Sequence, residues 1–250
     1  MFFTDLPLFW GLLLGHLLGD FYFQGEKLAT GKREHWPALL KHCVIYGCCT
    51  LFSGWVLCGA PALWTAGGAA LSHAVIDGLK FCLRRPLETR APAQVFLIDQ
   101  LLHLAVLAAV CLWRSAPLLP WIPAALSAAG CVFSPGALLR LGWLGLLLSK
   151  PANVLLKICN PKPPDRPDSG QTSGLDRRAG AAIGTLERLL TAALFLLRQY
   201  GAISVIFAAK TLTRYHRIAD DPAFGEYYLI GTLGSLLVAV LATVVLFPPV

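Results

Sequence analysis

Charge is what this sequence has least of. Asp, Glu, Lys and Arg make up 14% of its 250 residues, against 56% hydrophobic residues. About 25% charged residues is usual for a soluble domain, so the composition argues against that class and for a chain that crosses a membrane repeatedly. The eight cysteines include no Cys-x-x-Cys pair, and seven lie in or beside apolar runs. That pattern predicts neither a thiolate metal site nor a disulfide framework, only small buried hydrophobes. No basic region precedes the first apolar run in MFFTDLPLFW, so the first helix is expected to stay in the mature protein. Missing too are the DGxxAR motif of CDP-alcohol transferases, the NDxxD motif of prenyl transferases and the GxSxG elbow of acyl hydrolases.

What is present is a series of apolar runs at 6–24, 37–58, 62–83, 94–113, 181–198 and 226–247. Each comes close to the roughly 20 residues that cross a bilayer as a helix. A further apolar stretch, 117–149, is interrupted by Pro120, Pro123 and Pro135, and 201–214 is short. The expected fold is therefore all-α, a polytopic membrane helix bundle of about eight transmembrane helices. Trp10, Trp36, Trp55, Trp64 and Trp113 fall near span ends, where interfacial aromatics belong. Its organisation reads as a polar-cored bundle over 1–159, a Pro-rich linker over 160–180 and a carboxy-terminal membrane module over 181–250.

The formal net charge of +7 is unevenly distributed. Lys27, Lys32 and Arg33 follow the first span, Arg84, Arg85 and Arg90 follow the third, and the CGAPAL turn carries no charge. The positive-inside rule then places the amino terminus outside and the 25–36, 84–93 and 160–180 segments in the cytoplasm. Basic juxtamembrane residues answer to an anionic leaflet, so the expected partner is membrane lipid and no nucleic acid is expected.

Against this apolar background, ionisable residues recur at one spacing. Span one carries His16 and Asp20, span three carries His73 and Asp77, and span four carries Asp99 and His103 in reversed order. Span four also runs in the opposite direction. All three helices therefore place Asp nearer the cytoplasm and His about 6 Å deeper. His42, in LLKHCVIY of span two, reaches the same level. Residues four apart share a helix face, and ionisable residues in spans face the bundle interior and mark functional sites. Imidazole and carboxylate together suit Zn, Mn or Fe. In span one, Gly11, Gly15 and Gly19 repeat every four residues, a face on which a neighbouring helix can approach closely.

The stretches GHLLGDFYFQ, LLKH, SHAVIDGLK and FLIDQLLH together resemble the bacterial membrane family known as domain of unknown function 3307, over about the first 110 residues. GTLERLL, RQYGAISVIFAAKTLTRY and EYYLIGTLGS resemble the carboxy-terminal extension of its longer members. The resemblance implies an integral protein of the bacterial inner membrane, without an assigned activity. It marks His16, Asp20, Gln24, His42, His73, Asp77, Asp99, Gln100 and His103 as the motif positions. The His/Asp pattern is also similar to that of bacterial membrane-bound metal-dependent hydrolases.

The expected metal ligands are His16, Asp20, His42, His73, Asp77, Asp99 and His103, with Asp20, Asp77 and Asp99 as the catalytic carboxylates. Gln24, Lys80, Arg84 and Gln100 are the expected substrate contacts. Lys210 and Arg214 join them from a second polar group that includes Glu187 and Glu226. The expected function is a membrane-embedded hydrolase, dependent on a divalent ion and acting on a lipid-borne or phosphate-bearing substrate. Two alternatives stand beside it, a proton- or ion-coupled transporter and a non-catalytic scaffold. The outer halves of spans one, three and four (LPLFWGLL, LWTAGGAAL, LAVLAAVCLW) are almost bare of polar groups, which counts against a through-path.

Overall fold

The computed structural model describes residues 6–161 and 174–248; most of the expected linker at 160–180 lies outside the described residues. Every regular element among the described residues is a helix. Contacts divide the chain into two compact units, Met1–Trp143 and Leu144–Val250. The first holds α1 (Pro7–Leu17), which continues into a five-residue π-type turn (Leu18–Tyr22), then α2 (Glu26–Glu34), α3 (Trp36–Cys58) and α4 (Ala62–Cys82). It goes on through α5 (Arg84–Glu88), α6 (Pro92–Trp113), α7 (Trp121–Ala128) and most of α8 (Pro135–Leu148). The second holds α9 (Lys150–Cys159), α10 (Gly174–Leu196), α11 (Tyr200–Leu212), α12 (Tyr215–Asp220) and α13 (Pro222–Leu246).

Local sequence explains many of the boundaries. Pro7, Pro37, Pro92, Pro151 and Pro222 stand in the first turn of their helices, where a missing N–H loses no intrahelical bond. α3 stops at Gly59, whose φ of 73° is open to glycine and strained for other residues.

Among the described residues, five helices are long and apolar enough to cross a membrane: Trp36–Cys58, Pro92–Trp113, Pro135–Cys159, Ala179–Leu196 and Pro222–Leu246. The third joins α8 and α9 across a break at Ser149, so the proline-broken apolar run extends ten residues further than its sequence limit. Trp121–Ala128, by contrast, is an eight-residue helix, too short to span. α4 has the length of a span but carries His73, Asp77 and Lys80.

The burial pattern is inverted relative to a soluble protein. α3 buries His42, Tyr46, Thr50 and Ser53 while exposing Leu40, Val44, Phe52 and Trp55. α4 buries Thr65, His73 and Asp77 and exposes Leu71, Val75 and Leu79. α13 buries Tyr228, Thr232, Ser235 and Thr243 and exposes Leu229, Leu233, Leu237 and Leu241. Apolar faces outward and polar faces inward suit a hydrocarbon surrounding.

In the first unit α1 packs along α3, α3 along α4, α4 along α6, and α6 returns to α1. The closest seam is α1 against α3. A methyl group on Gly15 would lie 2.5 Å from Ser53 Oγ and 2.8 Å from Thr50 Cα. One on Gly19 would lie 2.9 Å from the Tyr46 ring. The glycine stripe of span one thus lets α1 approach the backbone of α3, and that approach carries His16 and Asp20 to the α3 polar face.

Gly15→Ala should therefore lower stability by about 1–3 kcal/mol through overpacking against the α3 backbone. Gly67→Ala, at a helical glycine whose added methyl meets nothing within 4 Å, should be neutral or stabilising by up to about 1 kcal/mol. Thermal unfolding of both variants in mild detergent checks the contrast, and equal losses would refute the close-packing account.

Candidate metal centre

Four helices bring the polar side chains together. The spacing of four residues places His73 and Asp77 on one face of α4, and His42 and Tyr46 on one face of α3. Asp20 falls within the π-type turn, which changes the rotation between it and His16 relative to a regular helix. His16, His42, His73, Asp77 and His103 are each 4% exposed or less, and Asp20 is 8% exposed.

At the centre four donor atoms converge from three helices. His42 Nε2 lies 3.1 Å from His73 Nε2, 3.2 Å from Asp20 Oδ1 and 3.3 Å from Asp77 Oδ2. His73 Nε2 lies 3.5 Å from the same Asp20 oxygen and 3.7 Å from the same Asp77 oxygen. Tetrahedral coordination at metal–ligand distances of about 2.0–2.1 Å spaces its donors about 3.3–3.4 Å apart. The five separations above lie near that spacing, and the grouped His42, His73 and Asp77 could hold a divalent ion. Asp20 Oδ1 is buried without a well-formed hydrogen bond, although both Nε2 atoms are near it. That is how an oxygen aimed at a common point, and not at a proton, is expected to stand.

A shell surrounds this core. His16 Nε2 is 3.4 Å from the Gln100 carbonyl oxygen, which can only accept, so Nε2 carries the proton and Nδ1 accepts from the Tyr46 hydroxyl at 3.2 Å. The Tyr46 ring stacks flat on His73, with centroids 3.5 Å apart and planes 5° apart. His103 Nδ1 donates to the Asp99 carbonyl at 2.8 Å, which in the neutral ring makes Nε2 the acceptor. That atom is buried, has no hydrogen-bond partner and lies 4.0 Å from Asp77 Oδ1. Three groups have ligand atoms all within 4.8 Å of one another: His42, His73 and Asp77; His16, Asp20 and His73; and Asp77, Asp99 and His103. The Nδ1 atoms of His42 and His73 have no partner, a departure from the usual metal-bound histidine, whose second nitrogen is held by a neighbour.

Two lysines enter the cluster. Lys80 pairs with Asp99 at 2.7 Å. Lys32, on the otherwise exposed α2, donates to Asp77 Oδ2 and to His42 Nε2, both at 3.0 Å. An ammonium has only donors, so His42 Nε2 accepts from Lys32 through its lone pair. Asp20 has no lysine or arginine within ion-pair distance among the described residues; its neighbours there are His16, His42 and His73.

The structure thus brings His16, Asp20, His42, His73, Asp77, Asp99, Gln100 and His103 into one network with Lys80. Gln24 has a buried, unpartnered side-chain oxygen but no recorded contact with the cluster. Arg84 sits over the Phe81 ring at 4.6 Å, outside the network. In the second unit Lys210 pairs with Glu187 at 2.5 Å, and Arg214 lies 5.7 Å from the Tyr228 ring centroid. Sequence reasoning missed Lys32 and Tyr46. Tyr46 was accessible from its spacing of four from His42, whereas Lys32 sits on a different helix and read only as one of several basic loop residues.

Comparison with curated proteins and with solved structures returns no match. A family model described as "Protein of unknown function (DUF3307)" matches residues 8–125, the segment that supplies every residue of the cluster. Over those residues, a little under half of the chain, the protein is similar to the DUF3307 family.

Proposed function

We propose that the protein is a membrane-embedded, metal-dependent enzyme whose centre is formed by His42 Nε2, His73 Nε2, Asp20 Oδ1 and Asp77 Oδ2. The observation that carries this reading is the approach of the two imidazole Nε2 atoms to 3.1 Å of each other, with Asp20 Oδ1 and Asp77 Oδ2 each 3.2–3.7 Å from both. Two imidazoles and two carboxylates suit Zn, Mn or Fe. A divalent ion held there supplies Lewis acidity and makes water acidic enough to ionise near neutral pH.

The remaining residues take supporting parts. His103 offers Nε2 as a proton acceptor beside the centre, and Asp99 holds that ring through its backbone carbonyl and restrains Lys80. His16, Tyr46 and Gln100 fix the orientation of Asp20 and His73. The reaction this set serves best is hydrolysis of a lipid-borne or phosphate-bearing substrate. Lys80, Arg84, Gln24 and Gln100 are the proposed contacts of an anionic head group in the first unit, and Lys210 and Arg214 those of the second. Basic residues in the 25–36 and 84–93 segments favour a site in the cytoplasmic half of the bacterial inner membrane, with the amino terminus outside.

A second reading rests on Lys32. Its ammonium already neutralises part of the cluster, so a metal-free charge network that orders the helices, in a scaffold or a proton-coupled carrier, is the competing account. Metal analysis separates the two. Protein purified in mild detergent should hold near-stoichiometric divalent metal, and Asp77→Asn should lose it while still folding, because the amide keeps the volume and removes the charge. Wild type that is metal-free and whose thermal stability is indifferent to chelator would favour the network.

Lys32 supplies a sharper check. A divalent ion must displace an ammonium from two of its ligands. A charged hydrogen bond contributes about 1.5–3 kcal/mol, so Lys32→Met should tighten divalent-ion binding by roughly tenfold or more. Competition titration against a chromogenic chelator reads the change. Weaker binding in Lys32→Met would show that Lys32 supports the centre and does not compete for it.

A further inference from the structure

The second unit buries a charge that has no carboxylate within ion-pair distance among the described residues. Arg188, on α10, is 2% exposed and the largest fully buried side chain described. Its Nε donates to the Leu148 carbonyl at 2.6 Å, Nη1 to Ser235 Oγ at 3.3 Å, and Nη2 to Asn153 Oδ1 at 2.7 Å and Thr185 Oγ1 at 3.2 Å. These acceptors come from α8, α13, α9 and α10, so the guanidinium ties together the helices around it.

All four acceptors are neutral. The adjacent carboxylate, Glu187, is engaged by Lys210, and no carboxylate lies within ion-pair distance of Arg188 among the described residues. The Leu148 carbonyl stands at the carboxy-terminal end of α8, where the helix dipole offers about half a negative charge. A guanidinium does not shed its proton in a protein. Neutral acceptors satisfy four of its five N–H groups but leave a net positive charge in a span, where charged groups ordinarily find a counter-charge.

Two of the acceptors mark the way to the surface. Asn153 and Thr185, both on Nη2, also line an open depression of about 410 Å³ together with Ser149, Lys150 and Leu186. Asn153 Nδ2 donates to Thr185 Oγ1, and Thr185 Oγ1 donates to the Ala181 carbonyl. A ligand in the depression is thus one side chain away from the guanidinium, facing polar groups that can give up Nη2 to a stronger acceptor.

We propose that this depression, backed by Arg188 and lined by Asn153 and Thr185, binds an anionic phosphate group that supplies the missing counter-charge. The site is independent of the proposed metal centre and is built entirely from the second unit. A phosphate oxygen takes Nη2 over from Asn153 Oδ1, and the freed amide turns its N–H toward the same anion. A phospholipid head group and free phosphate share this chemistry.

Asn153→Asp tests it by building a carboxylate into the chain 2.7 Å from Nη2. The full-length protein in neutral detergent is heated alone, with phosphatidylcholine, with phosphatidylglycerol, or with inorganic phosphate. Wild type should be stabilised by the anionic lipid over the zwitterionic one, with a shift of about 2–4 °C for each kcal/mol of binding. A response to inorganic phosphate in the absence of lipid would assign the site to free phosphate, and a response confined to phosphatidylglycerol would assign it to a head group. Asn153→Asp should melt higher than wild type in neutral detergent and lose the selective response. Arg188→Gln, if it folds, should lose it as well. Asn153→Asp that melts lower, or that keeps the full response, would overturn the proposal, as would a wild type stabilised by neither phosphatidylglycerol nor phosphate over the phosphatidylcholine control.

Discussion

Asp20 and Asp77 are buried among helices whose outer faces are leucine, valine, phenylalanine and tryptophan, and the first unit is arranged around the loss of water at those two side chains. An unpaired carboxylate in such surroundings costs several kcal/mol even after relaxation. The remedy is local and dense. Imidazoles from three helices stand around Asp20, and two imidazoles and one ammonium stand near Asp77 Oδ2. The close seam between α1 and α3 serves the same end, since Gly15 and Gly19 admit the α3 backbone at distances that a methyl group would not allow. Compensation for Asp20 differs from that for its neighbour: Asp77 has Lys32, Asp99 has Lys80, and Asp20 has only histidines. Four donor atoms with one carboxylate lacking a cation describe a place made for positive charge.

The second unit meets the converse difficulty. There a guanidinium is buried and the groups around it are carbonyl, amide and hydroxyl oxygens. Here a single polar side chain ties the helices around it together, and neutral dipoles satisfy its hydrogen bonds without cancelling its charge. The two units thus bury opposite signs. Each organises its helices with polar contacts, as a chain must when its apolar side chains gain nothing by leaving lipid for protein.

Much of the first unit was legible because its signals are periodic. A spacing of four between His and Asp fixes one helix face, and reversal of that order on span four predicts convergence once span direction is taken into account. His16, Asp20, His73, Asp77, Asp99 and His103 do meet, and His42 joins them. What periodicity does not carry is geometry between helices. Nothing in GLLLGHLLGDFYFQ announces the π-type turn that carries Asp20, and no spacing connects Lys32 on the short α2 to Asp77 on α4. Arg188 carries no periodic signal either: it lies beside Glu187 in GTLERLL, and neighbours on a helix point about 100° apart. In the structure Glu187 turns to Lys210 and Arg188 to the interior.

The central claim is that His42, His73, Asp20 and Asp77 hold one divalent ion, and X-ray absorption at the metal edge of the purified protein tests it most directly. The account predicts about four nitrogen or oxygen neighbours near 2.0–2.1 Å, with outer-shell scattering from two imidazole rings and none from sulfur. A metal-free protein would contradict it. So would a metal whose spectrum shows sulfur ligation, or an all-oxygen shell without imidazole scattering.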